Sequence, residues 1–138
     1  MDYNKISKEA TIGYLYKSHG SIRQSETDNK LIALAELRVS QINGCAFCCK
    51  FHANELREFG FDQSVIDQLP GWRLSSGFNT RQKLVLQWAE AVTLMQKDLH
   101  LYRKELEAHF SEKEIVDLTA SISLMNALNR LRITLDSH

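Results

Sequence analysis

Residues Gln41 to His52 read Gln-Ile-Asn-Gly-Cys-Ala-Phe-Cys-Cys-Lys-Phe-His, and the parsing of this run decides the fold. Asn43-Gly44 is a pair suited to the left-handed conformation that ends a helix and turns the chain. The sequence therefore predicts that one helix closes at about Ile42 and another opens at Cys45. On the second helix Cys45, Cys48 and His52 fall at i, i+3 and i+7, which puts a dithiol and an imidazole on one face. At a helix N-terminus the unpaired N–H groups and the macrodipole favour negative charge, and a nearby imidazolium adds to the effect, so a thiol there tends toward the reactive thiolate. Two cysteines so spaced can approach to about 5.5 Å between Cα atoms, which makes a reversible disulfide feasible. Two other readings stand beside this one. Small cysteines can simply fill core space, and three cysteines with a histidine can bind metal, although structural zinc sites usually enclose the ion with two separated ligand pairs.

Outward from this run, one proline and six glycines leave few breakers, and the apolar spacing has a period of 3.6 rather than 2, which predicts an all-α domain. Upstream, helices are expected from Ser7 to Ser18, stopped by His19-Gly20, and from Asp28 to Ile42, where Arg38 and Gln41 lie near the apolar face. Arg38 reads either as part of a polar wall or as a salt-bridged surface group. Downstream, the cysteine helix runs to Phe59 with Gly60 as its stop, and Asp62 caps a short helix ending before Pro70. Residues Pro70 to Phe78 form an irregular loop whose Trp72 and Phe78 read as anchors to the core. Asn79 with Gln82, and Ser111 with Glu114, have capping-box spacing and launch helices to about Met95 and Leu135, with a shorter helical piece from His100 to Phe110 between them. Glu90 lies inside the first of these, at a pocket edge or at the solvent boundary. The last helix is apolar on more faces than one small domain can cover, which predicts a homo-oligomer.

A chain of 138 residues fits one domain over 1–138. Hydrophobic content of 43% with 25% charged residues is that of a globular protein rather than a disordered or fibrous one. Basic and acidic residues balance at 17 each, so no field favours nucleic acid as a partner. No apolar run approaches the roughly 20 residues of a membrane span, and the polar opening Met1-Asp2-Tyr3-Asn4-Lys5 is not that of a signal peptide. Three cysteines within five residues suit redox chemistry in a reducing compartment, so a cytoplasmic location is expected.

The run LRVSQINGCAFC with His52 resembles the signature of the carboxymuconolactone decarboxylase-like superfamily in its AhpD-like alkylhydroperoxidase branch, whose hallmark is C-x2-C-x3-H. The segments WAEAVTLM from Trp88 and FSEKEIVDLTASISLMNALNRL from Phe110 are similar to later parts of the same branch, so the resemblance spans most of residues 28 to 135. It implies an AhpD-like helical domain with the C-x2-C motif at a helix start, assembly into trimers or hexamers, and peroxide reduction by a cysteine pair. An external dithiol of the lipoyl or thioredoxin kind would serve as reductant, with no cofactor and no metal. The superfamily's name-giving decarboxylase acts without such a dithiol, so that activity is not expected here. Carried over by position, Cys48 corresponds to the peroxidatic cysteine, Cys45 to its proton donor and resolving partner, and His52 to the relay histidine. The branch's relay glutamate stands twelve positions before the first cysteine, where this chain has Ala33. Glu36 and Glu90 are the candidate substitutes, and Glu90 is preferred because the WAEA run resembles the branch's own. Cys49 is a second departure. A disulfide oxidoreductase or redox-regulatory protein without efficient peroxide turnover is the alternative reading.

Overall fold

The computed structural model describes residues 1–136. Its regular elements are α1 (Tyr3–Ile6), α2 (Thr11–Arg23), α3 (Asn29–Asn43), α4 (Ala46–Glu58), α5 (Gln63–Asp67), α6 (Thr80–Thr93), α7 (Leu99–Glu107) and α8 (Glu112–Leu135), with a 3-10 segment over Leu69–Leu74. The domain is all-α, as the spacing predicts.

Helix α3 is the axis of the fold. Asp28 caps it by accepting from the Lys30 N–H at 2.9 Å, and from Leu31 to Leu37 every side chain is buried. A helix buried all round must pack on every side, and α3 separates two apolar clusters. Ile32, Ala35 and Val39 meet Val85 and Trp88 of α6, Leu106 of α7, and Leu118, Ile122 and Met125 of α8. Ala33, Leu34 and Leu37 meet Leu56 of α4, Leu69, Trp72, Phe78 and Leu86. Truncating a fully buried leucine or isoleucine in such a cluster typically costs about 2–5 kcal/mol. Trp72 and Phe78 are thus core anchors.

The turn that positions the cysteines has the predicted form. Gly44 is left-handed at φ 74°, and the N–H groups of Gly44 and Cys45 return to the carbonyls of Gln41 and Ser40 at 3.2 and 3.1 Å. Such a reversal satisfies the last carbonyls of α3 and turns the chain, leaving Cys45 as the N-cap residue of α4. Gly60, at φ 95°, ends the turn beyond α4. Both capping boxes are present, Asn79 with Gln82 and Ser111 with Glu114.

Several boundaries differ from the sequence reading, among them the end of α7 at Glu107 rather than Phe110. Helix α2 starts later and passes through His19-Gly20 to Arg23. Glycine costs a helix only about 1 kcal/mol, and here His19 and Arg23, one turn apart, both bond Glu36 of α3, which outweighs that loss. Ahead of α2 the chain doubles back so closely that a Cβ on Gly13 would sit 1.8 Å from the Lys8 carbonyl oxygen. Pro70 stands inside the 3-10 segment, where it occupies an opening position that needs no N–H. Helix α6 ends at Thr93, before Met95, whose φ of 48° is left-handed.

Candidate active site

The first turn of α4 carries the cysteines. Cys45 and Cys48 form a disulfide with Cα atoms 5.3 Å apart. Cys45 is 2% exposed, whereas Cys48 lines a pocket of about 180 Å³ together with Tyr16, His19, Phe47, Phe51, His52, Met125, Leu128 and Arg132. One sulfur thus meets the pocket and the other lies behind it. Cys49, the next residue round α4 and outside the pocket lining, packs against the second apolar cluster, and burial pushes its thiol pKa up, so it is a poor nucleophile. The pocket walls are mainly apolar. Phe47 and Phe51 stack at 6.3 Å between centroids, and Arg132 lies over the Phe47 ring at 4.0 Å.

His52, one turn beyond Cys48, is buried with its Nδ1 3.2 Å from Glu55 Oε1 and 3.5 Å from Glu36 Oε2. Two carboxylates on Nδ1 favour the tautomer with the proton there, which leaves Nε2 as the basic nitrogen. Glu36 is itself enclosed. It accepts from Arg23 Nη1 and Nη2 at 2.7 and 3.0 Å and from Ser121 Oγ at 2.8 Å, and His19 Nε2 lies 3.1 Å from its Oε2. Arg23 also donates to both oxygens of Glu55, at 2.9 and 3.3 Å. The Glu36 pKa reflects two opposed influences. Burial raises it, but the His19 hydrogen bond and the charges of Arg23 and His52 outweigh burial and hold it at about 2. Glu55 is lowered likewise, burial being outweighed by its bonds to His52 and Arg23.

Glu36, His52 and Glu55 each offer one ligand atom, all within 4.8 Å of one another. Arg23 bridges the two carboxylates and supplies one of the two positive charges they call for, and His19 and His52 stand beside them.

The preferred carboxylate of the sequence reading, Glu90, has partners other than the dithiol. Glu90 Oε1 accepts from Arg38 Nε at 3.0 Å and Trp72 Nε1 at 2.8 Å, and Glu90 Oε2 pairs with Arg73 Nη1 at 2.8 Å. Its partners include neither cysteine nor His52. Glu90 lies on α6, beyond α3 from the dithiol pocket, and ties the 3-10 segment and α3 to α6. Arg38 is accordingly a salt-bridged group, also bonded to Gln41 at 3.1 Å, and forms no wall of the pocket. The carboxylate that meets His52 from α3 is Glu36, the second choice of the sequence reading. Ala33, one turn before Glu36 on α3, is buried in the second apolar cluster.

Sequence reasoning missed His19, Arg23, Glu55 and Ser121. Glu55 was findable, since it lies three residues after His52 on the same helix. Ser121 was a polar residue within the apolar stripe of α8. His19 and Arg23 were hidden once Gly20 was taken as a stop.

An all-α domain with a C-x2-C pair at a helix start and a histidine one turn on defines an AhpD-like protein. The model of the carboxymuconolactone decarboxylase family matches residues 13–91, and the chain belongs to that family. It is 32% identical over 116 residues to the uncharacterized protein YdfG of Bacillus subtilis, covering 82% of this chain and 78% of that protein. Among solved structures, a protein of unknown function from Agrobacterium tumefaciens, described in connection with antioxidant defence and AhpD, superposes with a TM-score of 0.89 at 32% identity, over 100% of this chain and 95% of that one. A peroxidase-related protein from Ralstonia eutropha, with an alkylhydroperoxidase AhpD core, shares the fold at 21% identity, with a TM-score of 0.76 over 89% of this chain and 67% of that one.

Proposed function

We propose that the protein is a thiol-dependent peroxidase that reduces organic hydroperoxides through the Cys45/Cys48 dithiol–disulfide cycle. The observation that carries this reading is the division between the cysteines: Cys48 faces an apolar pocket beside a carboxylate-backed His52, and Cys45 sits bonded behind it. His52 takes the Cys48 proton, and the thiolate attacks one peroxide oxygen while the O–O bond breaks. The products are the Cys48 sulfenic acid and an alcohol. Cys45 then displaces the hydroxyl, forming the disulfide and water, and an external dithiol of the lipoyl or thioredoxin kind restores both thiols as it is itself oxidised. Such donors suit the reducing cytoplasm. Tyr16, Phe47, Phe51, Met125 and Leu128 favour an organic group over hydrogen peroxide.

The test is stopped-flow oxidation of the reduced protein by cumene hydroperoxide, with thiols counted before and after. The expected result is loss of two of the three thiols, those of Cys45 and Cys48, with cumene hydroperoxide reacting faster than hydrogen peroxide. Dithiol exchange without consumption of peroxide would establish the oxidoreductase reading instead.

The proposal extends to assembly. Phe47 and Phe51, stacked on each other beside the pocket, are 57% and 51% exposed. Apolar side chains so grouped call for cover, and a trimer or hexamer of this chain supplies it. Sedimentation at micromolar concentration is expected to give an oligomer, and a monomer would overturn this part.

A further inference from the structure

We propose that His19 is the general acid of the peroxide step, protonating the leaving alkoxide while His52 accepts the proton of Cys48. This rests on the peroxidase reading. Both imidazoles touch one carboxylate oxygen, Glu36 Oε2, with His19 Nε2 at 3.1 Å and His52 Nδ1 at 3.5 Å, and both rings line the pocket that Cys48 faces. They arrive from different helices, α2 and α4, so the pairing is a product of the fold and not of the C-x2-C-x3-H run.

Charge balance gives the two rings different work. Glu36 and Glu55 supply two negative charges and Arg23 one positive charge, leaving the cluster one positive charge short of neutrality. A single imidazolium supplies it. A second would leave excess charge in a buried site, which is costly. His52 has 3% of its side chain exposed and His19 22%, so the charge is carried at lower desolvation cost on His19. The remaining cation at the pocket, Arg132, is held in an ion pair with Asp136 and lies over Phe47. Tyr16 is the other polar wall residue from α2.

The step balances. Cys48 loses its proton to His52, and its sulfur gives two electrons to the nearer peroxide oxygen as the S–O bond forms and the O–O bond breaks. The departing RO⁻ takes a proton from His19 and leaves as an alcohol. One imidazole gains the proton that the other loses, so the charge of the buried cluster is constant across the step. Cys45 lies behind Cys48 and outside the pocket lining, and it parts with its proton in the next step, where water forms.

The test uses a leaving group that needs no proton. Reduced wild type and His19→Gln are oxidised in stopped-flow by tert-butyl hydroperoxide, which releases an alkoxide, and by peracetic acid, which releases a carboxylate. Glutamine can keep a hydrogen bond to Glu36 but cannot deliver a proton. The expected result is a loss of about 100-fold or more with tert-butyl hydroperoxide and a change of no more than a few-fold with peracetic acid. Equal losses with both oxidants would show that His19 only supports the structure, and no loss with either would show that it has no part in the step. Either outcome overturns the proposal while leaving the peroxidase reading intact. If wild type oxidises with neither, the peroxidase reading falls and takes this proposal with it. A second measurement needs no variant. Wild type should show a larger normal solvent deuterium isotope effect with tert-butyl hydroperoxide than with peracetic acid, which shares only the Cys48-to-His52 transfer, and equal effects with both would overturn the proposal.

Discussion

Cys48→Ser is expected to abolish hydroperoxide turnover, because a serine hydroxyl offers neither the low-lying thiolate nor the sulfur that accepts oxygen. Of the three cysteines, only Cys48 lines the pocket, Cys45 being buried behind it and Cys49 turned into an apolar cluster that raises its pKa. Cys45→Ser has a different expected signature. The first oxidation proceeds, no intramolecular disulfide follows, and the sulfenic acid on Cys48 persists long enough to be trapped by dimedone and weighed by mass spectrometry. The two variants therefore separate attack from resolution. Wild-type turnover in Cys48→Ser would refute the nucleophile, and a Cys45→Ser protein that cycles normally with no adduct would refute the resolving role. Cys49 is the one thiol near enough in sequence to substitute, and its packing into the second apolar cluster, outside the pocket lining, leaves it poorly placed to do so.

The parts of this molecule legible in the sequence were those fixed by neighbours along the chain. Asn43-Gly44 announced the turn, Cys45 the helix start, and Asn79/Gln82 and Ser111/Glu114 the two capping boxes, since each interaction closes within one turn of backbone. The C-x2-C-x3-H run gave three members of the site for the same reason. The carboxylate was not legible in that way. Glu36 and Glu90 both sit in apolar helices, and nothing local tells a glutamate facing His52 across an interhelical seam from one clamped by Arg38, Arg73 and Trp72. The choice depends on which face of α3 meets α2 and α4. That in turn depends on α2 continuing past Gly20, where tertiary bonds to Glu36 override the weak helix preference of glycine. The preference for Glu90 rested instead on the likeness of the WAEA run to the branch's own, which carries no information about the partners a glutamate meets across helices.

Glu36→Gln is expected to have the largest effect of any single change outside the cysteines, on stability and on chemistry together. Removing one partner of a buried ion pair leaves the other charge uncompensated and typically costs about 3–5 kcal/mol. Glu36 holds Arg23 through two hydrogen bonds, with His19, His52 and Ser121 around the same carboxylate. The Glu55 bonds to Arg23 survive and should keep the loss toward the lower end. Acid should reveal the same carboxylate. Its pKa falls from an ordinary value of 4.5 to about 2 in the folded protein, so its contribution is fully present above pH 4.5 and is lost as the pH falls toward 2. That difference corresponds to about 3 kcal/mol. Urea midpoints measured across this range should fall more steeply for wild type than for Glu36→Gln, and parallel curves would refute the assignment. Kinetically, Glu36 acts through both imidazoles, so its loss should slow oxidation by peracetic acid through His52, by roughly 100-fold, and by tert-butyl hydroperoxide at least as much, because His19 is affected as well. Glu90→Gln is the control. It frees Arg38, Arg73 and Trp72, loosening the 3-10 segment, and should lower the urea midpoint with both oxidation rates near wild type. Three variants then give three patterns: both oxidants slowed for Glu36→Gln, the alkyl hydroperoxide alone for His19→Gln, and neither for Glu90→Gln. A Glu90→Gln protein slowed like Glu36→Gln would return the relay to the carboxylate that the sequence first suggested.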